Sequence, residues 1–449
     1  MINNIFKLII KSNIHSLYNL IGRVFQACLS LILIYFISTI LDADIQGYYY
    51  TFLSLLAVQR FFELGLLNLI VQFTSHSRDK SIDLYRPASF DLTDSELVLL
   101  KPIYVFVIKW FFIGSILLFF LLIILGFFVF GSKEYNEQIN WKFPWLIISL
   151  STSLLLMVKS QISLLEGLGM LKTIYFCRML ANILEPLFIL IFLLLKLELY
   201  SLAIGNLVIT IALTIPLFLH RNILIKFISF KNVGINKNKI WREEIWPYQW
   251  RLAISTFAGY FIYQSLITIV FHFDSPLRAG QLGMTQNIVS GFTSISSILL
   301  TSNISKFSFL ISSKEHIKFF KSIKKTVIFD GLMYLVLILF YLILLNYYLP
   351  QSLKQKQLSV SLSFVLFISG FFHLITSHFA TILRCFKKEN FLLNSIFTAL
   401  TIIIFITFCV HLGFFELSLI LYLFISLISL LWASTIFRKG LKQYSWIQY

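Results

Sequence analysis

Apolar residues run in long blocks along this chain, and the polar ones collect in the gaps between them. Twelve such runs fall near 17–40, 48–73, 103–130, 143–165, 173–195, 199–219, 246–271, 280–304, 324–348, 358–383, 391–411 and 414–437. About 20 apolar residues at a helical rise of ~1.5 Å each cross a hydrocarbon core of roughly 30 Å. The pattern therefore predicts an all-α polytopic membrane protein with about twelve transmembrane helices. Residues 1–16 break the pattern. Ile2, Ile5, Phe6, Ile9 and Ile10 alternate with Asn3, Asn4, Lys7 and Lys11, as in an amphipathic helix lying on the membrane surface. The run after Lys7 and Lys11 is too long for a signal-peptide core, so no cleavable signal is expected.

The second run, Tyr48 to Phe73, carries Gln59, Arg60 and Glu63 near its middle. Read as one continuous helix, it places Arg60 near mid-depth, where a charge costs at least ~2.5–3.5 kcal/mol. Glu63 lies three residues on and is the expected counter-charge, since i and i+3 share a helix face.

Composition agrees with the pattern: 58% hydrophobic, 13% charged, mean hydropathy +0.85. The net charge of +17 is not a nucleic-acid signature, because the bases cluster in short loops. The N-terminus, 74–102, 166–172, 220–245, 305–325, 384–390 and the C-terminal tail hold 25 Lys and Arg between them, against 6 in the intervening connections. By the positive-inside rule both termini are cytoplasmic.

The basic segment 220–245 separates six runs from six. The expected domains are the surface helix at 1–16, an N-terminal lobe at 17–219, the linker 220–245, a C-terminal lobe at 246–437 and a cytoplasmic tail at 438–449. Because six is even, both lobes enter from the same side, and any repeat is parallel about a pseudo-twofold axis along the membrane normal. Arg23 and Arg251 begin corresponding spans. Each of those spans ends in an acidic turn leading to glycine, Asp42 to Gly47 and Asp274 to Gly280.

Polar residues recur at helical spacing inside several runs. Asn19, Arg23, Gln26 and Ser30 mark the first, Thr152, Lys159, Ser163 and Glu166 the fourth, and Arg178, Asn182 and Glu185 the fifth. Arg251, Ser255, Gly259 and Gln264 mark the seventh, Gln286, Ser290, Ser294, Ser297 and Thr301 the eighth, and Ser369, His373, Ser377 and Thr381 the tenth. Such stripes serve helix packing equally well. The bases say more: Arg23, Lys109, Lys159, Arg178 and Arg251 lie at similar shallow depth, with Arg60 deeper. Together they predict a basic vestibule that attracts an anion, and guanidinium forks suit phosphate. Lys109 has the least polar company and reads as a lipid-facing snorkeller. The four cysteines, Cys28, Cys177, Cys385 and Cys409, have no ligand or disulfide spacing, and the histidines form no cluster, so neither metal nor cofactor is expected. A glycine-rich phosphate loop and a serine–histidine–acid set are also absent, which argues against an enzyme.

On Phe62-Glu63-Leu64-Gly65-Leu66 with Gln72, Glu166-Gly167-Leu168-Gly169, Trp246-Pro247-Tyr248-Gln249-Trp250-Arg251 with Gly259-Tyr260-Phe261, and Ala279-Gly280-Gln281-Leu282-Gly283-Met284-Thr285, the chain resembles the bacterial O-antigen (Wzx-type) flippases of the multidrug/oligosaccharidyl-lipid/polysaccharide (MOP) exporter superfamily. The resemblance covers nearly the whole length. It implies two six-helix lobes (MOP/MATE-like) around a cationic cavity in the bacterial inner membrane. The implied cargo is an undecaprenyl-diphosphate-linked oligosaccharide for O-antigen or capsule, flipped to the outer leaflet by alternating access. It assigns Arg23, Arg60 and Arg251 to the cavity. Lys159, Arg178, Gln59 and Gln264 join them here as substrate-binding candidates from the stripes alone. Glu63, Glu185 and Asp330 are candidate acids for coupling to an ion gradient, each with the alternative of simply partnering a base. Membrane lipids and other polysaccharide-assembly proteins are the expected partners. The competing readings are an ion-coupled drug exporter of the same superfamily, which would want an acidic pocket, and a polysaccharide polymerase, which would want a large outward loop.

Overall fold

The computed structural model describes residues 18–443 apart from 19–20, 23–24, 27–28, 31, 64, 77–93, 132–138, 230–245, 314, 348–354 and 387–388. The expected surface helix at 1–16 and Arg23 lie outside the described residues, as does most of 220–245. Among the described residues the fold is helical throughout, with no strand. Among the described residues eight helices are long and apolar enough to cross a membrane, or nine if one bent pair is taken as one span, against the twelve expected from the apolar runs.

Two compact units emerge. The first holds residues up to Ile40 and Val58–Trp246; the second holds Leu41–Ala57 and Pro247–Tyr449. The second unit resumes at Pro247. It also takes in 41–57: α1 (Ala43–Leu56) packs with the second unit although its chain neighbours on both sides belong to the first.

The first unit contains α2 (Gln59–Glu63), α3 (Leu66–His76), α4 (Asp94–Phe130), α5 (Lys142–Gly167), α6 (Leu171–Leu194), α7 (Glu198–Leu219) and α8 (Arg221–Ser229). Helix α5 is its centre, packed by α3, α4 and α7. Its start is pinned by Trp145, fully buried, whose indole donates to the Leu122 carbonyl at 3.0 Å. Gly126 on α4 leaves the space that the ring fills. At the other end Gly167 lets α5 close on α3: a Cβ there would stand 2.6 Å from that of Thr74 and 2.8 Å from the Val71 carbonyl. Gly169 follows at φ +94°, a left-handed turn that glycine adopts without strain. The Glu166-Gly167-Leu168-Gly169 motif thus has a packing role and a turning role. Helix α4 turns Phe112, Ile113, Leu117, Phe120, Ile124 and Phe128 outward, an apolar face suited to lipid.

The second unit contains α1, α9 (Trp246–Tyr263), α10 (Ser265–Phe273), α11 (Pro276–Ser296), α12 (Ile298–Ser312), α13 (His316–Tyr347), α14 (Val360–Arg384), α15 (Leu392–Thr401), a π-helical turn at Ile402–Ile406, α16 (Thr407–His411) and α17 (Phe415–Gln443). Helix α17 ends at Gln443, past the 438 boundary expected for a tail. Helix α11 is central, packed by α1, α10, α13 and α14. The two acidic turns that mark the repeat in sequence meet face to face here. A Cβ on Gly47 would collide with the Pro276 carbonyl, and one on Gly280 would stand 2.9 Å from the Gly47 nitrogen. Gln46 donates to the carbonyls of Gly280 (3.2 Å) and Lys356 (3.0 Å), and Lys356 Nζ donates back to Leu41 at 2.6 Å.

Two expected continuous spans are broken. The 48–73 run is not one helix: it divides into α1, a turn at Ala57–Val58, the short α2, and α3 beyond Gly65. Gly65 sits at φ +69°, outside helical space. The seventh run bends by 47° at Gln264.

Candidate functional site

The first unit gathers charge at the broken second run. Gln59, nearly buried, donates to Glu63 Oε1 at 3.0 Å, and Lys159 of α5 reaches the same oxygen at 3.4 Å. Glu63 is therefore not the counter-charge of Arg60. Glu63 instead takes Lys159, and no ion pair involving Arg60 is found among the described residues. Arg60 is exposed. Glu185 on α6 is half-buried within electrostatic reach of Lys159. Two turns further along α5, Glu166 Oε2 takes Arg178 at 2.6 Å while Oε1 accepts from the Tyr175 hydroxyl at 2.9 Å. The Arg178 guanidinium also lies 5.5 Å from the Tyr175 ring centre. Lys159 and Arg178, both expected to bind an anion, are thus each neutralised by an acid of their own unit. Their side chains remain a third exposed, so each pair is worth little in stability, ~1 kcal/mol or less.

In the second unit Arg251 is exposed and lies 5.4 Å from its neighbour Trp250's ring centre. One turn on, Ser255 donates to Glu389, whose fully buried carboxylate is held by Arg384 at 2.6 Å. In sequence Arg384 reads only as a loop base; its pairing with Glu389, five residues away around a helix end, carries no periodic signal.

The bend at Gln264 is built from polar side chains rather than open to a ligand. A broken helix strands the carbonyls of its last turn. Here Ile262 O accepts from Tyr422 at 3.0 Å, Tyr263 O from Gln286, and Gln264 O from Ser54 at 2.6 Å. Gln264 is half-buried, with its backbone doing the bonding. The eighth-run stripe consequently splits in two. Gln286 is structural, whereas Ser290, Ser294 and Thr301 are exposed, and a Cβ at the adjacent Gly291 would meet nothing.

Asp330, the third candidate acid, is fully buried and bonded to His378 at 2.8 Å. Nothing in the sequence pattern points to this partner, which lies 48 residues away on another helix. Lys109 is exposed. Among the described residues no group of His, Cys, Asp and Glu could hold a metal ion.

Solved structures share this fold. An inward-facing multidrug-resistance MATE transporter of the MOP superfamily superimposes with a TM-score of 0.57, at 14% identity, covering 95% of this chain and 96% of its own. A Pyrococcus furiosus MOP transporter, described as having a binding pocket of reversed polarity that suggests a different function, gives 0.54 at 14% identity over 96% and 94%. A point mutant of the Vibrio cholerae MATE transporter VcmN gives 0.53 at 12% identity over 96% of each chain. No family model matches the chain, and no curated protein matches it. The chain has the MATE-like all-helical fold of a multi-pass membrane protein.

Proposed function

We propose that the chain is a bacterial inner-membrane flippase. It carries an undecaprenyl-diphosphate-linked oligosaccharide from the inner to the outer leaflet, with both termini cytoplasmic. The observation that carries this reading is the sign of what each unit leaves uncompensated. Glu63, Glu166, Glu389 and Asp330 all have basic or imidazole partners. Arg60 in the first unit and Arg251 in the second are exposed, and neither has an acid partner among the described residues. A transporter for organic cations would want the opposite balance. A diphosphate carries at least two negative charges and needs fixed cations where water is scarce. The exposed Ser290, Ser294 and Thr301 supply hydroxyls of the kind that bind sugar. The polyprenyl tail stays in lipid while the units exchange access.

The test is surface polysaccharide display in cells lacking the native protein. Arg60→Gln and Arg251→Gln are each expected to lower display by about ten- to a hundredfold at normal membrane levels. A drug exporter would instead leave display unaltered in both variants and show cation efflux that the substitutions fail to reduce.

A further inference from the structure

Helix α13 is longer than a bilayer requires. Its 32 residues rise about 48 Å, whereas a hydrocarbon core is roughly 30 Å thick. The apolar stretch 326–345 fills that core. The turns left over, His316 to Lys325, carry Lys318, Lys321, Lys324 and Lys325, all of them exposed. At about 3.6 residues per turn the four lysines share one side of the helix. Followed into the core, the same side presents Ile328, Phe329, Leu332, Val336, Leu339 and Phe340, each at least half exposed. Lipid is the solvent for such a surface, so the lysines stand at the depth of that lipid's headgroups.

Three features separate this helix end from an ordinary solvated run of charge. Ile317 projects among the lysines and is 84% exposed, an apolar side chain suited to the boundary between headgroups and acyl chains. The opposite side is anchored: Phe319 and Ile323 are buried in one cluster with Phe307 of α12, Leu383 of α14 and Leu441 of α17. A packed core thus holds the lysines at a set depth. Their charge is also largely uncompensated. Glu315 is the one acid between residues 305 and 329, and it takes Lys318 at 2.6 Å in an exposed pair. Lys321, Lys324 and Lys325 have no acid partner among the described residues.

We infer that this side of α13 is a binding site for an anionic phospholipid. The phosphate sits against Lys321, Lys324 and Lys325, Ile317 enters the headgroup boundary, and the acyl chains lie along Ile328, Phe329 and Leu332. A soluble polyanion would match the lysines, but it has no use for their continuity with a lipid-facing side. The site goes beyond the transport reading and holds whatever the cargo is.

The test uses the full chain purified in a neutral detergent. It is titrated with phosphatidylglycerol and, separately, with phosphatidylcholine, and bound lipid is counted by native mass spectrometry. Phosphatidylglycerol should bind the native chain at markedly lower concentration. Replacing Lys321, Lys324 and Lys325 together by glutamine should weaken that binding on the order of a hundredfold, from about fivefold for each base, and leave phosphatidylcholine unchanged. Arginine at the same three positions should preserve it, and Ile317→Ser should weaken both lipids. A control of equal charge replaces Lys172, Arg221 and Lys442, exposed bases on α6, α8 and α17, by glutamine and should leave both lipids bound as in the native chain. Equal binding of the two lipids by the native chain overturns the proposal. So does a control that loses phosphatidylglycerol as fully as the α13 variant, because the effect would then be one of overall charge. Displacement of the lipid by inorganic phosphate at matching concentration would leave the acyl chains no part and overturns it too.

Discussion

Two apolar runs are broken, the seventh within the second unit and the second where the chain passes into the first, and the two breaks are built in opposite ways. At Gln264 the stranded carbonyls of the last turn are taken by Tyr422, Gln286 and Ser54, uncharged side chains from three other helices. At Ala57–Gly65 the chain turns twice within a short stretch and places Arg60 on the exposed side, with Gln59, Glu63 and Lys159 gathered beside it. One break is closed by hydrogen bonds from the protein. The other keeps charged groups within reach of solvent. Irregular backbone inside a membrane is tolerated where it is buried in protein or lines a wet cavity, and the break at Gln264 uses the first solution.

The comparison breaks most sharply at the arginines. Arg60→Gln and Arg251→Gln should each lower surface polysaccharide by about ten- to a hundredfold at unchanged membrane level. That corresponds to loss of a charge-assisted contact worth ~1.5–3 kcal/mol. Quantitative display assays alongside immunoblots of membranes would check this, and full display in either variant would place the functional charge elsewhere. Gln286→Leu should act in the closed break instead. It leaves the Tyr263 carbonyl without its donor, costs ~1–3 kcal/mol, and lowers the melting temperature of the detergent-solubilised protein before it touches transport. Tyr422→Phe should behave alike through Ile262.

Smaller effects sharpen the picture of the first unit. Lys159→Gln and Glu63→Gln should each shift stability by at most ~1 kcal/mol because the pair is partly exposed. In a double-mutant cycle the combined variant should lose less than the two singles together, and strict additivity would show that the pair contributes nothing. Lys109→Gln should be silent within about 0.5 kcal/mol in melting and in display, being an exposed base with no role at either break.

The all-helical fold was legible because membrane burial writes itself into composition: the apolar runs are sums over many residues. Breaks are written differently. Leucines and phenylalanines on both sides of Arg60 give the same hydropathy whether or not the helix continues, so the run 48–73 reads as continuous although Gly65 takes a left-handed turn. The candidate site was legible as a set of residue types and not as a set of pairs. Lys159, Glu63, Arg178 and Glu166 all stand out by type and spacing. Their pairing depends on how α5 rotates against α2 and α6, which periodicity does not specify. Asp330 stands out as an acid in an apolar run, but His378 looks like one more polar position. The glycines of the family-like motifs draw attention as functional, and the structure gives Gly167, Gly47 and Gly280 the work of close approach.

The excursion of Leu41–Ala57 into the second unit bears on how the protein is made. Helix α1 leaves the ribosome early, yet the groups that satisfy it come much later: Gln46 waits for Gly280, 234 residues on, and Ser54 for Gln264, 210 residues on. Until then Gln46, Ser54 and the notch at Gly47 have none of their final partners, and contacts at such separation form slowly. A fragment ending near residue 240 should therefore insert yet remain open to chaperones and proteases. Two halves synthesised as separate chains should find one another through this one helix, which acts as a tether left waiting by the first half for the second.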